Sequence, residues 1–282
     1  MGFSIINGLI LGAIYAVSAM GLSLIAGLMR LVQFSHGEFF VLSSYLFAFL
    51  LRSGAGFFLS AFCALFGGFL AGVLTERLLF SRGDSDRNRS MMMTFALSIV
   101  LSNAFLILFG PYPVKSDVWL EGSIELMPGA SMGRQRLFSG VIALISFLLF
   151  YLWVRFSRMG RAIRAVAQDA EVARAFGINS GRIQTLAFGL STALAALAGI
   201  VLSPIFPVVP DSGSPVTLIA VSVMVIGGMG SIRGAAVAGL LLGLSESLGS
   251  HYLSTQYAPA FGFLFLILTL LFKPRGLFGN RI

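Results

Sequence analysis

The feature that most limits the fold of this chain is a series of long apolar runs, most of them 17 to 24 residues in length. A membrane-spanning helix needs about 20 such residues, whereas a strand of a membrane barrel needs about 10 residues of alternating polarity. Charged residues make up only 11% of the chain, and 57% of it is hydrophobic. The sequence therefore predicts an all-α integral membrane protein, a polytopic helical bundle.

Nine apolar runs follow one another, and three of them are short for a full crossing. We expect the short runs to be tilted, partly re-entrant or capped by protein. We therefore expect about eight or nine membrane segments in a single transmembrane domain, residues 1–282. The runs cover residues 5–28, 36–51, 57–80, 91–109, 138–154, 184–203, 217–229, 234–250 and 257–272.

The arginines indicate which loops face the cytoplasm. Residues 155–182 contain six arginines against two acidic residues. Basic loops stay on the cytoplasmic side of a membrane, so we predict a cytoplasmic loop at about 155–183. The same rule places loop 81–90 and the C-terminal tail inside. Counting crossings then puts segment 110–137 and the N-terminus outside, and the turn at 227–234 inside. The net charge of +8 thus reflects topology rather than nucleic-acid binding.

Glycines spaced four residues apart occur in three of the runs. Such pairs let two helices approach closely, within one chain or between two chains. We favour packing within the chain over a dimerisation face. The pairs are Gly8/Gly12, Gly68/Gly72 and Gly239/Gly243.

The most polar continuous stretch, "GRAIRAVAQDAEVARAFGIN" at 160–179, lies inside the predicted cytoplasmic loop. We expect Gly160 to break the preceding span. Asp169 suits a helix N-cap, and Gly177 suits the left-handed residue that follows a helix end. Residues 170–176 therefore read as a two-turn helix.

A helix of two turns is unstable alone and must pack on something. We expect its small face, Ala170 and Ala173, to fit a shallow groove on a partner protein. The alternative is a solvated loop that only fixes the topology.

A few polar residues lie within or beside the apolar runs, where ionisable groups are costly and often functional. For His36, Glu38 and Glu246 three interpretations are open: a proton relay, a site for a substrate ammonium group, or structural hydrogen bonding. We favour the structural role, because "SHGE" at 35–38 resembles a capping box with Ser35 as N-cap. Run 91–109 carries a further polar patch, which lines a path or bonds to a neighbouring helix: Ser98, Ser102 and Asn103.

Three segments resemble signatures of one family, in that family's order. The stretch at 160–179 resembles the cytoplasmic coupling loop of ABC-importer permeases, specifically the LivH-like branched-chain amino acid permeases. "VQFSHGEFFVLSSY" at 32–45 is similar to the family's early "NFAHGE" signature, with Gln33 where asparagine is usual. "VIGGMGSIRGAAVAGLLLGLSE" at 225–246 is similar to its late "GGxGSxxGA…GxxLGxxE" signature.

The resemblance implies the type II ABC importer permease fold, in a bacterial inner membrane. It implies that this chain and a second, paralogous permease line a path for branched-chain or related amino acids. Two cytoplasmic ATPase subunits would bind ATP and Mg²⁺, and an external binding protein would deliver the substrate. The coupling loop would act through Arg161, Arg164, Ala165, Gln168, Asp169, Ala170, Ala173 and Gly177.

Lysine positions support an ATPase on another chain. A P-loop needs Gly-x-x-x-x-Gly-Lys-Ser/Thr, and the only lysines are Lys115, which follows Val114, and Lys273, which precedes proline. Neither fits that motif. No His, Cys, Asp or Glu cluster has metal-ligand spacing, and no catalytic triad is indicated, so we expect no metal, cofactor or enzymatic activity in this chain.

Two alternative functions stay open. One is a permease of the same group for urea or short amides. The other is a self-contained secondary transporter that uses His36, Glu38 and Glu246 as proton sites.

Overall fold

A computed structural model describes residues 1–80, 87–127, 130–252 and 258–279. Most of the predicted basic loop at 81–90 and the end of the C-terminal tail lie outside these residues. Each of the nine predicted apolar runs forms a helix. The helices are α1 (Gly2–Met29), α2 (His36–Arg52), α3 (Phe57–Leu79), α4 (Arg87–Phe109), α5 (Arg134–Phe156), α6 (Arg158–Gln168), α7 (Ala170–Ala175), α8 (Ser180–Leu202), α9 (Gly213–Gly227), α10 (Ile232–Tyr252) and α11 (Ala258–Phe272).

The described part of the chain contains seven helices that are long and apolar enough to cross a membrane. The three short runs form α2, α9 and α11. Helix α9 reaches the length of a crossing only together with the 3-10 turn Pro210–Ser212 that precedes it. The prediction of an all-helical membrane bundle is confirmed.

Helix α1 is the centre of the bundle. In its apolar stretch 83% of the residues are buried, against 17% in α4 and 22% in α3 and α5. It contacts α5, α8, α9 and α10 along its length. The outer helices therefore present their apolar side chains to the membrane.

Glycines let α1 and α10 pack backbone to backbone. A methyl group added at Gly243 would overlap the backbone of Gly12, and one added at Gly8 would come 2.9 Å from the Leu244 Cα. Helix α3 packs on α8 in the same way, with Gly68 and Gly72 against Ala196 and Thr192. All three glycine pairs thus pack within the chain, as predicted.

Helices α2 and α9 begin inside the bundle rather than at its ends. His36, the first residue of α2, is hydrogen-bonded to the Ser18 carbonyl oxygen near the middle of α1. Gly37 lies against Gly213, the first residue of α9, with no room for a methyl group between them. Residues 30–35 therefore run back into the bundle before α2 begins, and residues 203–212 do the same before α9.

A small β-hairpin lies in the predicted external segment. Strands β1 (Ser123–Met127) and β2 (Ala130–Gly133) pair antiparallel. Helix α5 then begins at Arg134, four residues before the predicted run, because polar residues continue the helix beyond the apolar stretch. Val114 pairs with Val208, which ties this segment to the chain after α8.

Widening the α1–α10 contact should destabilise the bundle. We expect Gly243→Val to lower the free energy of unfolding by about 1–3 kcal/mol, because it forces two packed backbones apart. Gly56→Val is a matched control, since a methyl group there meets no atom within 4 Å. Thermal unfolding in detergent measures the difference, and equal melting temperatures of the two variants would contradict this packing.

Candidate coupling surface and intramembrane polar sites

Helices α6 and α7 form a hairpin beyond the end of α5. Ser157 caps α6, and its hydroxyl accepts a hydrogen bond from the Gly160 N–H at 2.8 Å. The prediction that Gly160 breaks the span is wrong, because α5 ends at Phe156 and Gly160 lies in the first turn of α6. Glycine is needed there because the Val154 carbonyl group occupies the space of a side chain.

Helix α7 is short and has a defined start and end. The Asp169 Oδ1 accepts hydrogen bonds from the N–H groups of Glu171 at 2.8 Å and Val172 at 3.0 Å. At the other end Gly177 has a φ of 81°, and the Ile178 N–H donates to the Ala173 carbonyl oxygen. This is a Schellman motif with a left-handed glycine. The predicted N-cap and C-terminal glycine are confirmed, and the helix is one residue shorter than predicted.

The cap also sets the charge of Asp169. The N–H groups of Val172 and Glu171 hold the pKa of its carboxyl below the usual value. A lowered pKa means that the cap stabilises α7 above the unfolded-state pKa and is lost as the pH falls through the folded one. At neutral pH the N-cap of α7 is therefore an aspartate anion.

The two faces of α7 are arranged opposite to the prediction. Ala173 is buried, in one cluster with Ile163 and Val166 of α6 and Leu28 of α1, and Ala170 packs against that cluster. The expectation that these alanines meet a partner protein is therefore wrong. Small residues allow the short helix to lie close on its own chain, which is what gives it stability.

The outward side of α7 carries larger apolar groups. Phe176 is 83% exposed and Val172 is 52% exposed. Sequence reasoning missed both residues, although an aromatic residue next to a capped helix end in a polar loop was an available signal.

The other predicted coupling residues hold the hairpin together. Arg161 donates to the Phe156 carbonyl oxygen, and Arg164 donates to the carbonyl oxygens of Val154 and Arg155. These bonds satisfy carbonyl groups at the end of α5 that have no partner within the helix. The Ala165 carbonyl oxygen accepts from the Asp169 N–H, and Gln168 is exposed.

Glu38 lies where the starts of α2 and α9 meet. Its side chain is 1% exposed and packs against Gly213, and its Oε1 accepts a hydrogen bond from the Ser98 hydroxyl at 2.9 Å. A carboxylate at a helix N-terminus is stabilised by the unpaired N–H groups there. Ser35 is the N-cap residue, as predicted, but it makes no side-chain cap bond. The predicted capping box is therefore absent, because Glu38 reaches α4 and α9 instead.

A polar stripe on α4 joins both interior helix starts. The Thr94 hydroxyl accepts from the Phe34 N–H at 3.2 Å, Ser98 donates to Glu38, and Ser102 lies 3.5 Å from the Pro210 carbonyl oxygen. These three residues are four apart and share one face. The predicted bonding to neighbouring segments holds for Ser98 and Ser102. Asn103 is exposed and bonds within α4 to the Ile99 carbonyl oxygen, so it does not belong to this patch.

Backbone groups at the start of α2 are bonded to α1 and α9. The buried His36 Nε2 lies 3.0 Å from the Ser18 carbonyl oxygen. The Gly37 N–H donates to the Thr217 hydroxyl at 2.8 Å, and that hydroxyl donates to the Phe34 carbonyl oxygen. These contacts favour the structural interpretation of His36 and Glu38.

Glu246 has a different hydrogen-bond partner on α1. It is 8% exposed, and its Oε2 accepts from the Tyr15 hydroxyl at 2.9 Å, which joins α10 to α1. In the described part of the chain no hydrogen bond links His36, Glu38 and Glu246 to one another, so they do not form a single hydrogen-bonded relay. No group of three or more His, Cys, Asp or Glu side chains that could hold a metal ion occurs among the described residues.

The comparisons with known proteins agree with these features. Residues 4–272 match the model of a family described as branched-chain amino acid transport system, permease component. The chain belongs to this family. It is 32% identical to the permease protein LivH of the high-affinity branched-chain amino acid transport system of Escherichia coli K12, over 97% of this chain and 94% of LivH.

Two further likenesses are more distant. The LivM permease of E. coli K12 is 27% identical, over 94% of this chain and 67% of LivM. A solved structure described as PsaBC from Streptococcus pneumoniae in complex with Fab shares the fold, with a TM-score of 0.52 at 12% identity over 96% of this chain and 92% of that chain. Family membership and the apolar helices make this chain a multi-pass permease of the bacterial inner membrane.

Removing the Glu38 side chain separates a structural role from a proton-carrying one. We expect Glu38→Ala to lower the free energy of unfolding by about 1–3 kcal/mol, because the Ser98 hydroxyl loses its buried acceptor. Glu38→Gln keeps an acceptor oxygen and should keep most of the stability and of the transport activity. Thermal unfolding and uptake are measured on both variants. A Glu38→Gln variant of normal stability that transports nothing would contradict the structural role.

Proposed function

We propose that this chain is the permease subunit of an ABC importer that moves branched-chain or related amino acids into the cell. The observation that carries the proposal is the capped α6–α7 hairpin on a chain of this permease family. A helix of six residues with an N-cap, a Schellman end and an exposed phenylalanine presents a fixed apolar surface outside the membrane. Membership of a permease family supports a role for that surface in docking a partner subunit.

ATP hydrolysis is assigned to separate subunits. The two lysines of the chain have no P-loop context, and the family is one of permease components. We infer that two cytoplasmic ATPase subunits bind ATP and Mg²⁺ and dock on the outward side of α7 through Val172 and Phe176. The chain itself would then carry no cofactor and no enzymatic activity.

A second permease subunit follows from the pair of relatives. LivH and LivM are both named permease proteins of one E. coli system, and this chain resembles both. We infer that this chain pairs with a paralogous subunit and that the translocation path forms between them. An external binding protein would deliver the amino acid and determine the substrate.

The coupling residues fall into two groups in this proposal. One group holds the hairpin in place through the contacts described above: Arg161, Arg164, Ala165, Asp169, Ala170 and Ala173. Gln168 lies at the turn between α6 and α7, and Gly177 follows the end of α7; both are exposed. A force on α7 would therefore reach the rest of the chain as movement of a rigid unit.

The energy source tests the proposal directly. We expect uptake of labelled leucine by the assembled system in proteoliposomes to require ATP on the side of the membrane that the ATPase subunits face. A protonophore should not reduce this uptake. Competition by unlabelled valine and by urea identifies the substrate class, and we expect only valine to compete. Uptake by this chain alone that follows the proton gradient would establish a secondary transporter instead.

The end of α7 offers a test of coupling. We expect Gly177→Val to reduce ATPase co-purification or substrate-stimulated ATP hydrolysis without reducing membrane insertion. Gly177 has positive φ, where a β-branched residue is strained by about 1–3 kcal/mol, and a helix this short has no stability to spare.

Gly177→Asn is the matched control, because asparagine adopts the left-handed region more readily than other side chains. A methyl group at position 177 meets no atom of this chain within 4 Å, so a defect of the valine variant does not come from a clash within the chain. Normal uptake and normal ATPase co-purification by Gly177→Val would show that this helix end takes no part in coupling.

A further inference from the structure

A cavity of about 660 Å³ opens at the basic end of the bundle. Its walls come from the end of α1, the end of α5, helix α6 and the turn between α9 and α10. A volume of this size is within the range of small-ligand sites. By the positive-inside rule this end of the bundle lies at the cytoplasmic surface of the membrane.

The cavity is strongly basic. Three arginines line it, Arg155, Arg164 and Arg233, and no Asp or Glu occurs among its lining residues. Tyr151 lies between two of them: Arg233 Nε donates to its hydroxyl at 2.8 Å, and an Arg155 nitrogen lies 3.4 Å from the same oxygen. Such a concentration of positive charge without a counter-charge favours an anionic ligand.

The arginines differ in how free they are to bind. Arg164 is held by the Val154 and Arg155 carbonyl oxygens. Arg233 bonds to Tyr151 through Nε alone, and its two terminal nitrogens make no hydrogen bond to any described residue. Arg233 and Arg155 are both exposed. These two guanidinium groups are therefore the ones available to a ligand.

Apolar side chains continue from the cavity toward the membrane interior. On α10, Val237 and Leu241 follow Arg233 at intervals of four residues and are 38% and 37% exposed. On α5, Leu144 and Leu148 precede Tyr151 at helical spacing and are 56% and 52% exposed. A basic cavity beside an apolar surface fits a ligand that has an anionic group and long apolar chains.

We propose that this cavity binds the phosphate-bearing headgroup of an anionic phospholipid from the adjacent membrane leaflet. The phosphate is bound by the exposed guanidinium groups of Arg155 and Arg233 beside Tyr151, and the acyl chains follow the exposed faces of α5 and α10. Basic pockets between helices at the cytoplasmic surface are suited to such headgroups. The proposal goes beyond the transport function and does not depend on which substrate is moved.

A lipid in this cavity would contact both helix α6 and the turn between α9 and α10. Ile163 and Ala167 of α6 form one wall of the cavity, and Met229 and Ser231 of the α9–α10 turn form another. A headgroup between these walls would brace the hairpin against the bundle. The lipid is thus expected to stabilise the coupling hairpin as well as to occupy the cavity.

Native mass spectrometry of the assembled transporter in detergent tests this site with phosphatidylglycerol and phosphatidylcholine as probes. We expect the wild type to retain phosphatidylglycerol preferentially. Since each arginine near an anionic headgroup contributes favourably, Arg155→Gln with Arg233→Gln should weaken that preference roughly tenfold or more. Arg158→Gln is the matched control, because Arg158 lies in the first turn of α6 but does not line the cavity.

Two outcomes would overturn the proposal. One is an equal loss of preference in the Arg158→Gln control, which would mean a diffuse surface charge effect. The other outcome comes from thermal unfolding. If inorganic phosphate raises the melting temperature of the wild type as much as phosphatidylglycerol does, the cavity binds a soluble anion. If the double variant does not fold, the single variants Arg233→Gln and Arg233→Lys decide: the lysine variant should keep more of the preference than the glutamine variant, and equal loss in both would contradict a charge contact at this position.

Discussion

Close contact between the backbones of α1 and α10 is the interaction on which the rest of the bundle depends. Lipid tails are as apolar as leucine, so helices in a membrane are not driven together by water and must gain from close packing. Gly8, Gly12, Gly239 and Gly243 provide that contact over two turns of each helix. Helix α1 is thereby enclosed on several sides, and the helices around it can use large apolar residues toward the lipid. Glycine is therefore frequent where α1 and α10 pack together, and phenylalanine is frequent where the outer helices face lipid.

A buried central helix makes interior helix starts possible. Helices α2 and α9 begin where no water is available to bond their first N–H groups, so side chains must do so. The Thr217 hydroxyl accepts from the Gly37 N–H at the start of α2. From the other side, α4 supplies Thr94, which accepts from the Phe34 N–H, and Ser98, which donates to Glu38. The polar residues that the sequence shows at membrane depth are therefore largely explained by these breaks. Their bonds cross from α2 to α1, α4 and α9, which makes this region a junction between several helices.

The sequence predicts features that depend on neighbours along the chain and fails where distant segments meet. The apolar runs locate nine helices of the described chain, seven of them long enough to cross a membrane. Asp169 and Gly177 locate both ends of α7, because capping is local. The capping box at Ser35 was wrong because Ser98, sixty residues away, competes for Glu38. The inward packing of Ala173 was missed because its partners lie on α1 and α6. The predicted polar patch on α4 contained Ser98 and Ser102 correctly but included Asn103 and left out Thr94, since only the structure shows which face of that helix meets the breaks.

The same packing connects the proposed coupling surface to the centre of the bundle. Ala173 shares a cluster with Ile163 and Val166 of α6 and with Leu24 and Leu28 of α1. Because these side chains pack against one another, a displacement of α7 would be passed through the cluster to its neighbours. It would move the end of α1, and α1 is in backbone contact with α10. A partner that pushes on Phe176 would therefore act on the two helices that hold the bundle together, which is a physical reason for a short, rigidly capped helix at this position.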